Sequence, residues 1–284
     1  MAVITNRATL RYNDVVTSSN LAVGRLLEVL TASKTALAAG YAQGDTVAYV
    51  VTLVNSGSTA LTGLTVTDDL GGYALETGTV YPLRYQAGTL RYYVNGTLQA
   101  APTVTAGPPL TVTGVEVPAG GDVTLAYQTT VTEYAPGAAE STIENTVTVT
   151  GGGLAAPVTA AATLGAQGGP VLSILKSLSP DPVAENGRLT YTFTLQNTGN
   201  TAAEAADAAV ITDIFSPILR NLTVTFNGTA WTAPDDYTYD QTTGTFATVA
   251  GKLTVPAASY ARDAATGAWV TTPGTATLVV AGDL

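Results

Sequence analysis

Gly44-Asp45-Thr46-Val47-Ala48-Tyr49-Val50-Val51-Thr52-Leu53-Val54-Asn55-Ser56-Gly57 decides the fold class. Its centre is β-branched and aromatic, and Gly and Asn close both ends. That is the pattern of a half-buried β-strand between turns. Leu189-Thr190-Tyr191-Thr192-Phe193-Thr194-Leu195 and Thr146-Val147-Thr148-Val149-Thr150 have the same character. Asn95-Gly96 and Asn227-Gly228 stand between such runs, as two-residue hairpin turns with two positive φ angles require. The one helix-like stretch, 201–209, is Ala-rich and short. Many short strands at regular spacing predict an all-β chain of sandwiches.

The same stretch also recurs. Asn186-Gly187-Arg188-Leu189-Thr190-Tyr191 and Leu195-Gln196-Asn197-Thr198-Gly199 repeat it, and Lys34 keeps the same offset to Lys176. Thr65-Val66-Thr67-Asp68 matches Val210-Ile211-Thr212-Asp213, and Tyr93–Thr97 matches Thr225–Thr229. Pro118–Tyr127 is similar to Pro273–Val280. Two copies of one domain are expected, over 28–165 and 166–284. The first copy continues through Ile143-Glu144-Asn145-Thr146-Val147-Thr148-Val149 into Val158–Leu164. The second reaches only the equivalent of Val131 at Leu284, without an Ile-x-Asn strand.

That strand stands at the other end. Ile4-Thr5-Asn6-Arg7-Ala8-Thr9-Leu10 matches Ile143–Val149 position for position, followed by turn-rich residues near Asn13-Asp14 and Ser18-Ser19 and then Leu21-Ala22-Val23. Residues 1–27 are therefore expected to be a donor segment, with Ile4, Asn6, Ala8, Leu10, Tyr12, Leu21 and Val23 as donor-strand residues. A sandwich lacking its closing strand exposes an apolar groove and unpaired edges. Gly24 to Glu28 reach only about 17 Å, so filling the groove of a neighbouring copy is simpler than filling the chain's own. Such a contact is head-to-tail and does not close, which makes a fibre.

Composition narrows the function classes. The formal charge is −10 and charged residues are 11%, against about 25% in an ordinary soluble domain. No basic stripe is available for nucleic acid, and no apolar run has the roughly 18 residues of a membrane helix. With no His and no Cys, the commonest general base, thiol chemistry, zinc sites and the Ser-His-Asp triad are missing. No enzyme activity and no cofactor or metal is expected. Asp68-Asp69, Asp235-Asp236 and Asp240 lack a calcium-loop spacing and read as solvated turns. Trp231, Tyr237, Tyr239, Tyr260 and Trp269 could form a sugar platform but fit core packing better. Asn95, Asn221 and Asn227 match the glycosylation acceptor pattern at close to chance frequency. The start of the chain shows no charged region followed by an apolar one, so no signal peptide is visible.

The motif Lys…Gly-Asp-x-Val-x-Tyr…Asn-x-Gly…Val-Thr-Asp…Ile-x-Asn-x-x-x-Val resembles the "conserved repeat" domain of bacterial and archaeal surface proteins, the eleventh of the catalogued domains of unknown function. The resemblance covers most of 28–165 and, less fully, 170–284. It implies tandem Ig-like sandwiches at the cell surface or outside the cell. In Gram-positive pilin domains, Lys and Asn on facing strands fuse into an isopeptide bond beside a buried acid. By that analogy, Lys34, Asp68 and Asn145 would form one such site within the chain. Lys176 and Asp213 would form another with Asn6 of the next copy. The alternative is that both lysines snorkel from edge strands and both asparagines are hydrogen-bonded strand residues. The expected role is a self-assembling, pilus-like filament subunit whose partner is itself. The rivals are an adhesin or stalk fragment with a glycan or host-protein ligand and, more remotely, a carboxylate-pair glycosidase.

Overall fold

A computed structural model describes residues 3–25, 27–76 and 78–284. The chain is all-β, with an N-terminal arm and two tandem sandwiches, and one 3₁₀ turn at Ala205–Asp207 in place of the Ala-rich helix signal. Among the described residues no helix is long and apolar enough to cross a membrane.

The arm consists of β1 (Val3–Asn6), β2 (Thr9–Tyr12), β3 (Val15–Ser18) and β4 (Ala22–Arg25). These strands pair only with each other, β1 with β4 and β2 with β3, as one long hairpin. Its turn is Asn13-Asp14, with φ of 45° and 65°, the hairpin turn that Asn and Asp tolerate. Asn6 pairs with Ala22 but Thr9 with Ser18, so the return strand carries one extra residue. Ser19 anchors this bulge, its hydroxyl accepting from Ala8 N at 2.9 Å.

Residues directly opposite in an antiparallel pair share a face. Ile4/Gly24, Asn6/Ala22, Leu10/Thr17 and Tyr12/Val15 therefore form one face, and Thr5/Val23 and Arg11/Val16 the other. The bulge turns Val23 to the opposite face from Ile4, and Leu21 lies outside the strands. Likewise Ser18-Ser19 is a bulge and not a turn.

The first unit, Met1–Ala135 with Thr142–Leu164, includes the arm. Its sandwich is built from β5 (Leu30–Ala36), β6 (Thr46–Asn55), β7 (Leu61–Asp68), β8 (Tyr73–Leu75), β9 (Gly78–Val80), β10 (Leu83–Tyr85), β11 (Arg91–Val94), β12 (Thr97–Gln99), β13 (Thr103–Thr105), β14 (Leu110–Val117), β15 (Asp122–Val131), β16 (Thr142–Gly151) and β17 (Val158–Gly165). One sheet runs β12-β11-β15-β6-β5 with β10 beside β15, and the other β13-β14-β7-β16-β17. Alternate residues of the central strands are buried, among them Tyr49, Val51 and Leu53 on β6 and Ile143, Asn145, Val147 and Val149 on β16. That is the period-two burial of a packed sheet.

The second unit is 136–141 with Gly165–Leu284, so the 136–141 loop goes with it. It contains β18 (Leu172–Ser179), β19 (Arg188–Asn197), β20 (Thr212–Ile214), β21 (Arg220–Phe226), β22 (Thr229–Trp231), β23 (Tyr237–Asp240), β24 (Thr245–Thr248), β25 (Ser259–Arg262), β26 (Trp269–Thr272) and β27 (Gly274–Asp283). The sheet β18-β19-β27-β21-β22 repeats the order of β5-β6-β15-β11-β12 in reverse listing. The opposing layer is only the short β20-β24-β23. Its core holds Tyr191, Phe193, Phe215, Phe226, Phe246 and Leu278.

Both units share a corner device at the end of the long central strand. Asn55 Nδ2 donates to Thr59 O at 2.8 Å and Pro118 O at 3.0 Å, and Gly57 N donates back to Oδ1 at 2.9 Å. Asn197 does the same toward Thr201 O, Pro256 O and Gly199 N, and also accepts from Val171 N. A Cβ on Gly199 would lie 2.1 Å from Gly169 O, which explains the Asn-x-Gly spacing. Both asparagines are buried, so truncation strands several backbone groups at roughly 1–3 kcal/mol for such a loss. Asn197→Ala is expected to destabilise the second unit by about 2–4 kcal/mol. Denaturant unfolding followed by tryptophan fluorescence reads this directly, because Trp231 and Trp269 both lie in that unit.

Candidate functional site: a buried lysine cluster and its open counterpart

Lys34 lies on β5 opposite Val51 and points into the first sandwich. Its Nζ sits 2.8 Å from Asp68 Oδ2, and the two side chains are 0% and 3% exposed. Asp68, the last residue of β7, also accepts from Leu70 N at 2.8 Å and from the Tyr127 hydroxyl. The Lys34 ammonium lies 5.0 Å from the centre of the Tyr49 ring, and Tyr49 stacks on Tyr127. Asn145, on β16, is fully buried beside the Tyr49 hydroxyl, and neither group makes a hydrogen bond of normal geometry.

Burial governs the electrostatics. It pushes the Lys34 ammonium down from its ordinary value, against the opposing pull of Asp68. It raises the Tyr49 phenol to about 12, with the neighbouring Asn145 opposing, and lifts Tyr127 well above its usual value with Asp68 adding to the effect. A buried lysine whose charged form burial disfavours, beside a carboxyl and a buried amide, is the residue set for amide exchange. Lys34, Asp68 and Asn145, matched only by pattern in the sequence, are brought into one buried site.

The second unit repeats half of this arrangement. Lys176 on β18 is ion-paired to Asp213 on β20, and its ammonium lies 4.3 Å from the Tyr191 ring centre, with Phe193 and Phe215 at 5.4 and 5.6 Å. Here the pair is 40% and 18% exposed. No asparagine of this unit occupies the place of Asn145, and the place of Tyr127 is taken by Val280, since both face the equivalent tyrosines Tyr49 and Tyr191.

The neighbours of Lys176 are not buried. All of β18 is exposed, including Leu172, Ile174 and Leu178 on the same face as Lys176. The reason is topological. In the first unit β16 and β17 extend the second layer beyond β7, whereas β20 has β24 on one side and no strand on the other.

The first half of the arm matches β16. β1–β2 and β16 both span ten residues, 3–12 and 142–151. Ile4, Asn6, Ala8 and Leu10 match the buried Ile143, Asn145, Val147 and Val149, yet residues 4–24 of the arm are exposed. Charge distinguishes it too. Residues 1–27 carry Arg7, Arg11 and Arg25 against Asp14 alone, while 166–284 carry five Lys/Arg against ten Asp/Glu. This asymmetry was readable from the sequence by counting segment by segment.

The other flagged residues have local roles. Asp69 Oδ1 accepts from Gly71 N and Thr146 N, Asp236 pairs with Lys252, and Asp240 accepts from Thr242 and Thr243. Tyr237 is buried, and Trp231 and Tyr239 pack against the same core. Tyr260 and Trp269 lie on the β25–β26 hairpin. Asn95 and Asn227 form the two positive-φ turns, and Asn221 Nδ2 donates to Asp283.

No family model and no curated protein matches the chain, so the resemblance to the conserved-repeat family has no support beyond its motifs. Among solved structures, the chain is similar to the pilus backbone RrgB of Streptococcus pneumoniae (12% identity, TM-score 0.36, covering 86% of this chain and 55% of that one). It is also similar to BcpA, the major pilin subunit of Bacillus cereus (13%, 0.37, 96% and 73%). A third is the full-length major pilin SpaD of Corynebacterium diphtheriae (15%, 0.35, 78% and 50%). The chain thus spans about half the length of RrgB and SpaD.

The two lysine pairs differ in burial and should differ in energetic weight. Removing one partner of a buried pair costs roughly 3–5 kcal/mol, while an exposed pair contributes about 0.2–1 kcal/mol. Asp68→Ala should therefore lower the calorimetric unfolding temperature of the first unit strongly. Asp213→Ala should leave the unassembled second unit within about 1 kcal/mol of the parent.

Proposed function

We propose that the chain is the structural subunit of an extracellular, pilus-like filament, in which the arm of one copy inserts as a two-stranded hairpin into the open second unit of the next. The observation that carries this reading is the position-for-position match of Ile4–Leu10 to Ile143–Val149 of β16, while β20 has no strand on its other side among the described residues. A single donor strand would cover β20 alone. A hairpin also covers the inner face of β18, as β17 does for β5.

The physical drive is burial. Ile4, Leu10 and Tyr12 on the arm and Leu172, Ile174 and Leu178 in the groove are each 38% to 61% exposed. Covering them is worth on the order of 1 kcal/mol each, and pairing along β20 satisfies a free strand edge. The interface is heterologous and does not close, so it propagates.

The finer part of the reading is covalent. In the first unit, Lys34 passes a proton to Asp68 and its freed Nζ attacks Asn145 Cγ, while Asp68 relays the proton to the leaving amide nitrogen. The Nζ–Cγ bond forms, the Cγ–Nδ2 bond breaks, and ammonia leaves. The lowered Lys34 value and the buried Asn145 amide support this step. At the junction, Lys176 and Asp213 would meet Asn6 of the inserted arm and undergo the same exchange, linking successive subunits.

Three measurements test this. Ile4→Asp and Leu10→Asp should leave both units folded yet abolish assembly in light scattering, as should removal of residues 1–25. Normal growth of any of these variants refutes strand donation. Intact mass of the unassembled protein should fall short of the sequence mass by one ammonia, restored by Lys34→Met. In boiled filaments, covalent ladders should vanish with Asn6→Ala. An unshifted mass removes the isopeptide without touching the filament.

A further inference from the structure

Gly24 is a glycine without a local reason. It lies within β4, its φ is not in the left-handed region, and an added Cβ would meet only Ile4, at 3.9 Å from its Cβ and 4.0 Å from its oxygen, which is ordinary contact. Interior strand glycines weaken pairing and mark sites where another element approaches closely. Since the arm pairs with no other element, that approach has to come from outside the hairpin.

The repeat identifies the facing group. In the first unit, Ala166 N donates to Ser141 O at 2.8 Å, which registers β17 on β16 with Leu164 opposite Ile143. Leu164 is 3% exposed. In the arm the residue opposite Ile4 is Gly24, so Gly24 stands where Leu164 does. On the facing edge strand the order of sizes reverses. Ala36 is opposite Tyr49 on β5–β6, and Leu178 is opposite the equivalent Tyr191 on β18–β19.

These positions share one end of the sandwich. Ile143 lies against Gly71, Leu83 N donates to Leu70 O, and Val131 N donates to Asp45 O beside the start of β6. The part of β5 nearest that end is Ala36. The first unit thus combines a large residue on the closing hairpin with a small one on the edge strand. Leu178, half-exposed, is the large residue of the second.

Resting on the strand-donation reading, we infer that this size reversal makes the two hairpins non-interchangeable: Gly24 admits Leu178 of another copy of this chain. β16–β17 in the second unit would set Leu164 against Leu178 and overpack it. The arm in the first unit would set Gly24 against Ala36 and leave a void. Each hairpin is therefore held to one groove, and a chain is protected from exchanging its own closing strands for a neighbour's arm. Charge favours the same occupant, since the arginine-bearing arm meets a unit with twice as many acids as bases.

The test is a size-exchange cycle on full-length protein, reading the concentration at which filaments appear in light scattering. Gly24→Leu should raise it about tenfold or more, the scale of an overpacked site. Gly24→Leu combined with Leu178→Ala should return it to within about threefold of the parent. If Gly24→Leu assembles normally while Ile4→Asp does not, the size inference is overturned and strand donation stands. Failure of the double variant to recover also overturns the inference. If Gly24→Leu and Ile4→Asp both assemble normally, strand donation itself has failed.

Discussion

A β-sandwich keeps its inner faces dry only when both layers are complete, and every notable feature of this chain follows from one layer being shorter than the other in the second unit. The long sheet β18-β19-β27-β21-β22 is intact and apolar on its inner side. The layer that should oppose it stops at β20. An uncovered edge strand with leucines and isoleucine on its inner face is unstable against association, so the geometry calls for a cover of a particular length, width and alternation.

The two repeats act as an internal comparison of the same ionic pair in two surroundings. With β16 and β17 in place, Lys34 and Asp68 are removed from water, and burial moves the lysine toward its neutral form. Without them, Lys176 and Asp213 hold the same contact but remain wet. Desolvation is what separates a surface ion pair from a reactive cluster. In the second unit it would come only with the covering strands, so covalent chemistry at the junction would wait on correct docking.

The arm is an organised hairpin within the single chain. Its bulge at Ser19 and its Asn13-Asp14 turn set the register of the hairpin, and a preformed hairpin loses less conformational entropy on insertion than a free tail. Yet a lone two-stranded ribbon is only marginally stable in water, and nothing within the chain covers either of its faces. The bulge also reassigns residues between faces, which is why Val23 and Ile4, both apolar, do not serve the same surface.

The sequence by itself determined the class, the duplication and the chemistry of the candidate site. Period-two runs, Asn-Gly turns and the repeated Lys, Asp and Asn positions are local signals that survive any arrangement of the strands. The match of Ile4–Leu10 to Ile143–Val149 is a local signal of the same kind. Only the tertiary structure decided that residues 3–25 form a hairpin, that β18 is bare, that Val23 lies on the opposite face from Ile4 with Leu21 outside the strands, and that Gly24 opposes Ile4. Those facts depend on registers set by a one-residue bulge and on which strands pair beside β7 and β20. They are relations between residues far apart in the chain, and no local pattern encodes them.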